Sequence, residues 1–249
     1  MNNNQTIEKL KQMRLTAMAQ LHGQYVESHQ YSECSADEYL ALLTDHEWEN
    51  RYNRKIQRLI QQANFRQKAS VEEVSYKDGR HLDKNMFQRL ATLGFIAKKE
   101  NLIITGSSGV GKSYLAQALG YQACFQEHKV LYSTTARLLN RLKLSKLDGT
   151  YLKEIQKLNK VQLLILDDFG LQAFDKLRVK PLWILSMNAL PIPLLLSHHN
   201  YPYLLGMKLL ERVLLLMPFW TVSLTLHIEY NSKANPWERE LLTKKYYHC

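Results

Sequence analysis

Apolar residues follow two rhythms along the chain. From about Thr6 to Gln30, Ile7, Leu10, Met13, Ala17 and Leu21 recur at helical spacing, which predicts one helix there. Ser35 followed by Glu38 is a capping-box pattern, with Tyr39–Leu43 after it. A long helix is then expected through Trp48 to about Ala63, with Ile56, Leu59 and Ile60 on its inner face. Ser70–Glu73 repeats the capping pattern at a short segment. A further helix is expected over His81–Leu93, and Phe95–Glu100 joins it to the first strand. From there the rhythm changes. The apolar or β-rich runs at Leu102–Ile104, Lys129–Ser133 and Val161–Leu166 alternate with helical stretches at Leu115–Leu119, Thr134–Leu147 and Tyr151–Leu158. Turns are expected at Glu127–His128 and at Asp148–Gly149. Short continuous apolar runs are what buried parallel strands look like, and alternating strands and helices make an α/β sheet. The expected fold is therefore a parallel sheet flanked by helices, preceded by a small all-helical N-terminal domain ending near Ser70. The chain shows no low-complexity segment and no internal repeat.

The stretch after Leu102–Ile104 carries the sharpest chemistry. Gly106, Ser107, Ser108, Gly109, Val110, Gly111, Lys112 and Ser113 form a full G-x-x-x-x-G-K-[ST] motif, with Tyr114 next in the new helix. Strand, glycine loop and helix together are the context this motif needs. Glycines let backbone N–H groups turn inward as a nest around phosphate oxygens, and the helix adds its positive end. Lys112 is expected to reach the β- and γ-phosphates of ATP, and the Ser113 hydroxyl to hold Mg²⁺.

Val161–Leu166 ends in Asp167 and Asp168. A buried parallel strand delivers such acids to its C-terminal edge, where ligands bind in open α/β sheets. Downstream of the phosphate loop, this is the pattern of a Walker B strand. Asp167 is expected to hold Mg²⁺ through a water, and Asp168 to orient or deprotonate the attacking water.

Composition adds a partner. With 249 residues, 45% hydrophobic and 22% charged, the chain has the make-up of a soluble protein with one large α/β domain and a smaller appendage. Its net charge of +10 makes nucleic acid the first acidic partner to consider. Arg51, Arg54, Lys55 and Arg58 lie on the predicted long helix, with Arg66 and Lys68 beyond, and are the expected contacts to DNA phosphates. A plain solvated helix face is the competing reading of the same residues. The three cysteines, Cys34, Cys124 and Cys249, lie far apart and suggest reduced thiols in a cytoplasm. The polar start, MNNNQTIEKLKQM, does not resemble a signal peptide, and no membrane segment is expected.

Gly106–Ser113, the run LAQALG at 115–120, LLILDDFG at 163–170 and the N-terminal helical stretch resemble the IstB-like transposition helper ATPases, AAA+ proteins close to the DnaC-type helicase loaders. The resemblance runs from residue 1 to about 175. It implies a P-loop NTPase of AAA+ type that hydrolyses ATP with Mg²⁺, forms a homo-oligomer on DNA with little sequence preference and recruits a transposase. A DnaC-like helicase loader is the nearest alternative, with a replicative helicase as partner. A remnant that binds nucleotide or DNA without turnover is a second alternative. A P-loop kinase would need an acceptor site and a lid with arginines, and the sequence offers neither.

The resemblance stops near Asp175. Pro181–Met207 carries no Asp, Glu, Lys or Arg and is broken by Pro191, Pro193 and Pro202. Those prolines, with His198, His199 and Asn200, argue against a membrane helix. Leu209–Met217 is leucine-rich without an amphipathic plan, and Arg212 within it has no AAA+ context. When codons are read from the third base, Pro193–Pro202 permits TIIVTSQLP, Leu216–Leu224 permits DAILDRLV and His227–Trp237 permits HRIQFKGESM. Several letters are forced, such as Ala at Met217–Pro218, Asp at Trp220–Thr221 and Leu at Asn200–Tyr201. These segments are similar to the family's sensor strand, arginine-bearing helix and closing tail. A shift of frame near residues 175–180 accounts for the change. It implies a degenerate copy with impaired hydrolysis, and a sheet short of a strand with an exposed apolar edge.

Overall fold

The computed structural model describes residues 3–28, 35–76, 82–106, 109–169, 194–199 and 222–228. The chain divides into two compact units, Met1–Arg58 and Leu59–Cys249.

The first unit begins with two helices where the apolar spacing suggests one, α1 (Asn3–Gln12) and α2 (Thr16–Ser28). The spacing runs on through a turn. Arg14 takes a left-handed φ of 61°, the Arg14 N–H donates to the Lys11 carbonyl, and the Leu15 N–H donates to that of Leu10, both at 2.9 Å. That is a Schellman stop built on arginine in place of glycine. The next helix then needs partners for its first N–H groups, and a side chain from α3 (Ala36–Ala63) provides them. Glu47 Oε2 accepts from the Ala17 and Met18 N–H groups at 2.9 and 3.0 Å. The start of α3 is set by the expected capping box. The Ser35 N–H donates to Glu38 Oε2, and the Glu38 N–H donates to Ser35 Oγ. One helix of 28 residues follows without a break at Trp48.

Among the described residues the second unit holds a five-stranded parallel sheet with order β2-β3-β4-β1-β5, flanked by helices. The strands are β1 (Asn101–Gly106), β2 (Val130–Thr134), β3 (Leu163–Phe169), β4 (Leu194–His199) and β5 (Val222–Ile228). Its helices are α4 (Lys84–Ala91), α5 (Gly94–Ala97), α6 (Lys112–Phe125), α7 (Thr135–Leu147) and α8 (Tyr151–Asn159). Asp83 caps α4, which therefore starts later than His81, and Thr134 caps α7 by accepting from the Arg137 N–H. The turns at Glu127 (φ 64°) and Gly149 (φ 70°) lie where expected. Alternate residues of the strands, Leu102 and Ile104, Leu163 and Ile165, and Leu195, join Leu115, Leu119 and Ala123 of α6 in one core. Cys124 belongs to that core, and burial pushes its thiol up to about 12, so it packs as a small hydrophobe.

Two larger features of the second unit also depart from expectation. The sheet is not short of a strand. Residues beyond Asp175 supply β4, in the middle between β1 and β3, and β5, on the edge beside β1. Parallel pairing asks only for backbone and apolar side chains, and the run starting at Leu194 and Leu195, both buried, meets that demand. The second departure is the division at Arg58 and Leu59, ahead of the Ser70 boundary read from sequence. Ala63 is fully buried in the core of the second unit, with Leu59, Ile60 and Phe65 packed against it. The short segment at Ser70–Glu73 is a turn and forms no helix.

Residues 170–193, 200–221 and 229–249 lie outside the described residues. With them go the proposed break, Arg212, Cys249 and most of the alternative-frame segments; Cys34 also lies outside.

Candidate functional site: a phosphate loop against two carboxylates

The loop between β1 and α6 needs backbone that only glycine adopts freely. Gly109 has φ 80° and Gly111, which caps α6, has φ 90°. Ser107 and Ser108 lie outside the described residues. Val110 is buried and pins the loop to the core. Lys112 opens α6 with only 3% of its surface exposed. Burial pushes its ammonium below the ordinary lysine value, while Asp167 and Asp168 work against that shift.

The two carboxylates come from the end of β3, where the strand is irregular. The pairing with β4 shifts register between Leu166 and Phe169, and Asp168 sits in the left-handed region at φ 55°. Such strain concentrates at functional sites. Asp167 keeps the inward phase of Leu163 and Ile165 and is fully buried. Its Oδ1 accepts from Ser113 Oγ at 2.9 Å and from the Asp168 N–H at 3.0 Å. Its Oδ2 accepts from the Tyr132 hydroxyl at 2.6 Å, and its carbonyl accepts from Thr135 Oγ1 at 3.1 Å. Ser113, the last residue of the motif, thus meets the first carboxylate of the strand across 54 positions of sequence. These are hard oxygen donors at a helix N-terminus, the chemistry that suits Mg²⁺, which needs only one or two protein oxygens beside phosphates and water. On β4, which separates β1 from β3, Ser197 Oγ is buried and has no hydrogen-bond partner among the described residues.

The segment before β1 is fastened to α6. Gln117 is fully buried, its Oε1 accepts from the Arg66 and Gln67 N–H groups, and its Nε2 donates to the Ser113 carbonyl at 3.0 Å. The Tyr114 hydroxyl donates to Glu73 Oε2 at 3.1 Å and lies against Ser70, so this side chain is engaged with residues 70–73. Phe65 stacks on Tyr121 at 4.4 Å, close over Gly120, where a Cβ would come within 2.6 Å of the Phe65 ring.

Sequence reasoning missed Tyr132, Thr135 and Gln117. Tyr132 was readable only as one residue of a β-rich run; its register partner on β3 is Ile165, two residues before Asp167.

The basic residues of α3 belong to the first unit. Arg51, Arg54, Lys55 and Arg58 are all exposed. Arg51 differs from the others. Its Nε donates to Glu47 Oε1 at 2.7 Å and its Nη2 to the Arg14 carbonyl at 3.0 Å. Much of its hydrogen-bonding capacity is therefore committed inside the unit, whereas Arg58 Nε only returns to the Arg54 carbonyl of its own helix. Among the described residues no helix is long and apolar enough to cross a membrane.

Comparison with known proteins agrees with this architecture. An insertion-sequence ATP-binding protein of Sinorhizobium fredii is 40% identical over 171 residues, covering 69% of this chain and 70% of that protein. The ATP-binding protein of insertion sequence IS1162 from Pseudomonas fluorescens is 40% identical over 173 residues, covering 69% of this chain and 74% of its own length. Among solved structures, AMPPCP-bound DnaA from Aquifex aeolicus aligns with a TM-score of 0.53 at 19% identity, over 72% of this chain and 60% of that one. That likeness speaks to the fold alone, a P-loop sheet of AAA+ type. The IstB-like ATP binding protein family matches residues 8–187, well over half the chain, and the chain belongs to that family.

Proposed function

We propose that this chain is an ATP-binding helper protein of an insertion-sequence transposition system, which binds DNA and recruits or regulates a transposase as a homo-oligomer. The observation that carries the nucleotide part is the 2.9 Å contact between Ser113 Oγ and Asp167 Oδ1 at the mouth of the phosphate loop. In this reading Gly106–Ser113, with Tyr114 beside them, receive the phosphates of ATP through backbone N–H groups, and Lys112 supplies the positive charge. Ser113 and, through a water, Asp167 would hold Mg²⁺, which would offset charge on the phosphoryl oxygens. Asp168 orients the attacking water or takes its proton. Arg54, Lys55 and Arg58, with Arg51 in a lesser part, contact DNA phosphates without reading sequence.

The insertion-sequence names of the relatives support a transposase as the protein partner. Co-purification is the discriminating experiment. Capture of a co-expressed transposase, with none of a replicative helicase, is the expected result; capture of the helicase alone would replace this reading with a helicase loader. Phosphate release measured with and without DNA tests turnover, and nucleotide binding without any release would leave a binding protein only.

A further inference from the structure

The buried hydroxyl of Tyr132 donates to a carboxylate of the candidate site; the inference rests on the reading of Ser113 and Asp167 as the Mg²⁺ holders. Tyr132 is 5% exposed on β2, and its ring lies 6.3 Å from that of Phe65 within the core. Its hydroxyl donates to Asp167 Oδ2 at 2.6 Å. The opposite oxygen, Oδ1, takes the Ser113 hydroxyl and the Asp168 N–H. The carboxylate is thus held from both ends, by neighbouring strand β2 on one side and by α6 on the other. The terminal torsion of an aspartate is otherwise soft and roughly two-fold.

We propose that Tyr132 is a positioning residue for the metal-holding carboxylate: by occupying Oδ2 it keeps Oδ1 turned toward Ser113, so the two oxygens meant for Mg²⁺ face each other before nucleotide arrives. A carboxylate oxygen only accepts, so the Tyr132 hydroxyl is the donor of this contact. A plain structural role would be to satisfy a buried carboxylate and nothing more. The two roles differ in what they do to metal affinity, because a partner that orients a metal ligand typically carries roughly 10- to 100-fold in binding.

The test uses the full chain as wild type, Tyr132→Phe, Asp167→Asn and the double variant. Phenylalanine keeps the ring in the core and removes only the hydroxyl. Mn²⁺ is the probe, followed by electron paramagnetic resonance with AMPPCP present; AMPPCP affinity in EDTA is the control that no metal enters. Tyr132→Phe is expected to bind AMPPCP in EDTA as the wild type does and to hold Mn²⁺ about tenfold more weakly. The double variant is expected to lose no more than Asp167→Asn alone. Wild-type Mn²⁺ affinity in Tyr132→Phe, with Asp167→Asn impaired, overturns the proposal and leaves the nucleotide reading standing. A further drop in the double variant equal to that of Tyr132→Phe alone also overturns it, since the tyrosine would then act elsewhere. Should the wild type hold no Mn²⁺ with AMPPCP, the metal reading of Ser113 and Asp167 falls, and this proposal with it.

Discussion

Arg51 and Glu47 form a 2.7 Å ion pair along α3, and the same glutamate caps α2 with its second oxygen. An arginine that looked like a DNA contact is also a brace for the fold of the first unit. The glutamate is buried while the arginine is more than half exposed, so the carboxylate is the member that depends on the pair. Losing one partner of such a group costs more than the pair gains.

Glu47→Ala is therefore expected to destabilise the first unit by about 1–3 kcal/mol, the cost of two backbone donors left without their acceptor. Burial raises the carboxyl, but the Met18 N–H, Arg51 and the Ala17 N–H outweigh it, and the net shift is downward from 4.5. A lowered folded-state value means stability that is complete above the unfolded value and lost as pH falls through the folded one. Urea midpoints should hold steady above about pH 5 and fall more steeply below about pH 4 in the wild type than in Glu47→Ala. Parallel pH profiles in the two proteins would refute the assignment.

Replacing Arg54, Lys55 and Arg58 together by Gln should flatten the dependence of DNA affinity on salt, by about 0.9 in log–log slope for each phosphate no longer neutralised. Arg51→Gln alone should lower the melting temperature more than it changes that slope. Fluorescence anisotropy with a labelled duplex across salt concentrations measures the slope, and a thermal melt the stability; an unchanged slope in the triple variant would return these residues to an ordinary solvated face.

Lys112→Ala should abolish ATP binding while leaving most of the secondary structure in place. Burial already works against the charge on Lys112, so its removal relieves a cost to the fold even as it removes the phosphate partner. Isothermal titration gives the affinity and circular dichroism the fold. Equal ATP affinity in the two proteins would sink the nucleotide reading.

Turnover is expected to be weak even where ATP binds. Asp167 and Asp168 stand upstream of the proposed frame change, but an arginine serving a neighbouring subunit would stand downstream. A finger of that kind supplies roughly 10³–10⁵ in rate in related P-loop systems. Restoring the frame by one or two nucleotides near codons 175–180 should raise DNA-stimulated phosphate release by at least about tenfold. Family-like turnover by the unrepaired chain as a stable oligomer would contradict the frame reading.

The parts of the site legible in sequence were those whose chemistry is carried by contiguous residues. The phosphate loop needs its glycines and lysine in one order, and Asp167–Asp168 ends a run too apolar to be anything but a buried strand. What escaped was decided between elements. Tyr132 reaches Asp167 only because β2 pairs in parallel with β3, and no spacing along the chain encodes that. The Arg14 turn hid because apolar residues kept helical spacing across it, and arginine, unlike glycine, gives no sign of a left-handed stop. The central strand β4 was discounted because its sequence lacks the family's wording, although its leucines satisfy the physical demand of the position.

The left-handed backbone at Asp168 sets stability and chemistry against each other at one residue. A side chain at φ 55° carries a conformational cost of about 1 kcal/mol that the rest of the sheet must absorb. Asparagine takes up that conformation more readily than most residues and lacks the proton-accepting carboxylate. Asp168→Asn is therefore expected to keep the strand end folded and melt close to the wild type while releasing less phosphate, a variant spared as a folded object and impaired as a catalyst. A drop in melting temperature would show instead that the carboxylate stabilises the strand end it strains. If selection for turnover has lapsed in this chain, Asp168 is a position open to drift, because asparagine gives up the carboxylate without adding strain to the left-handed backbone.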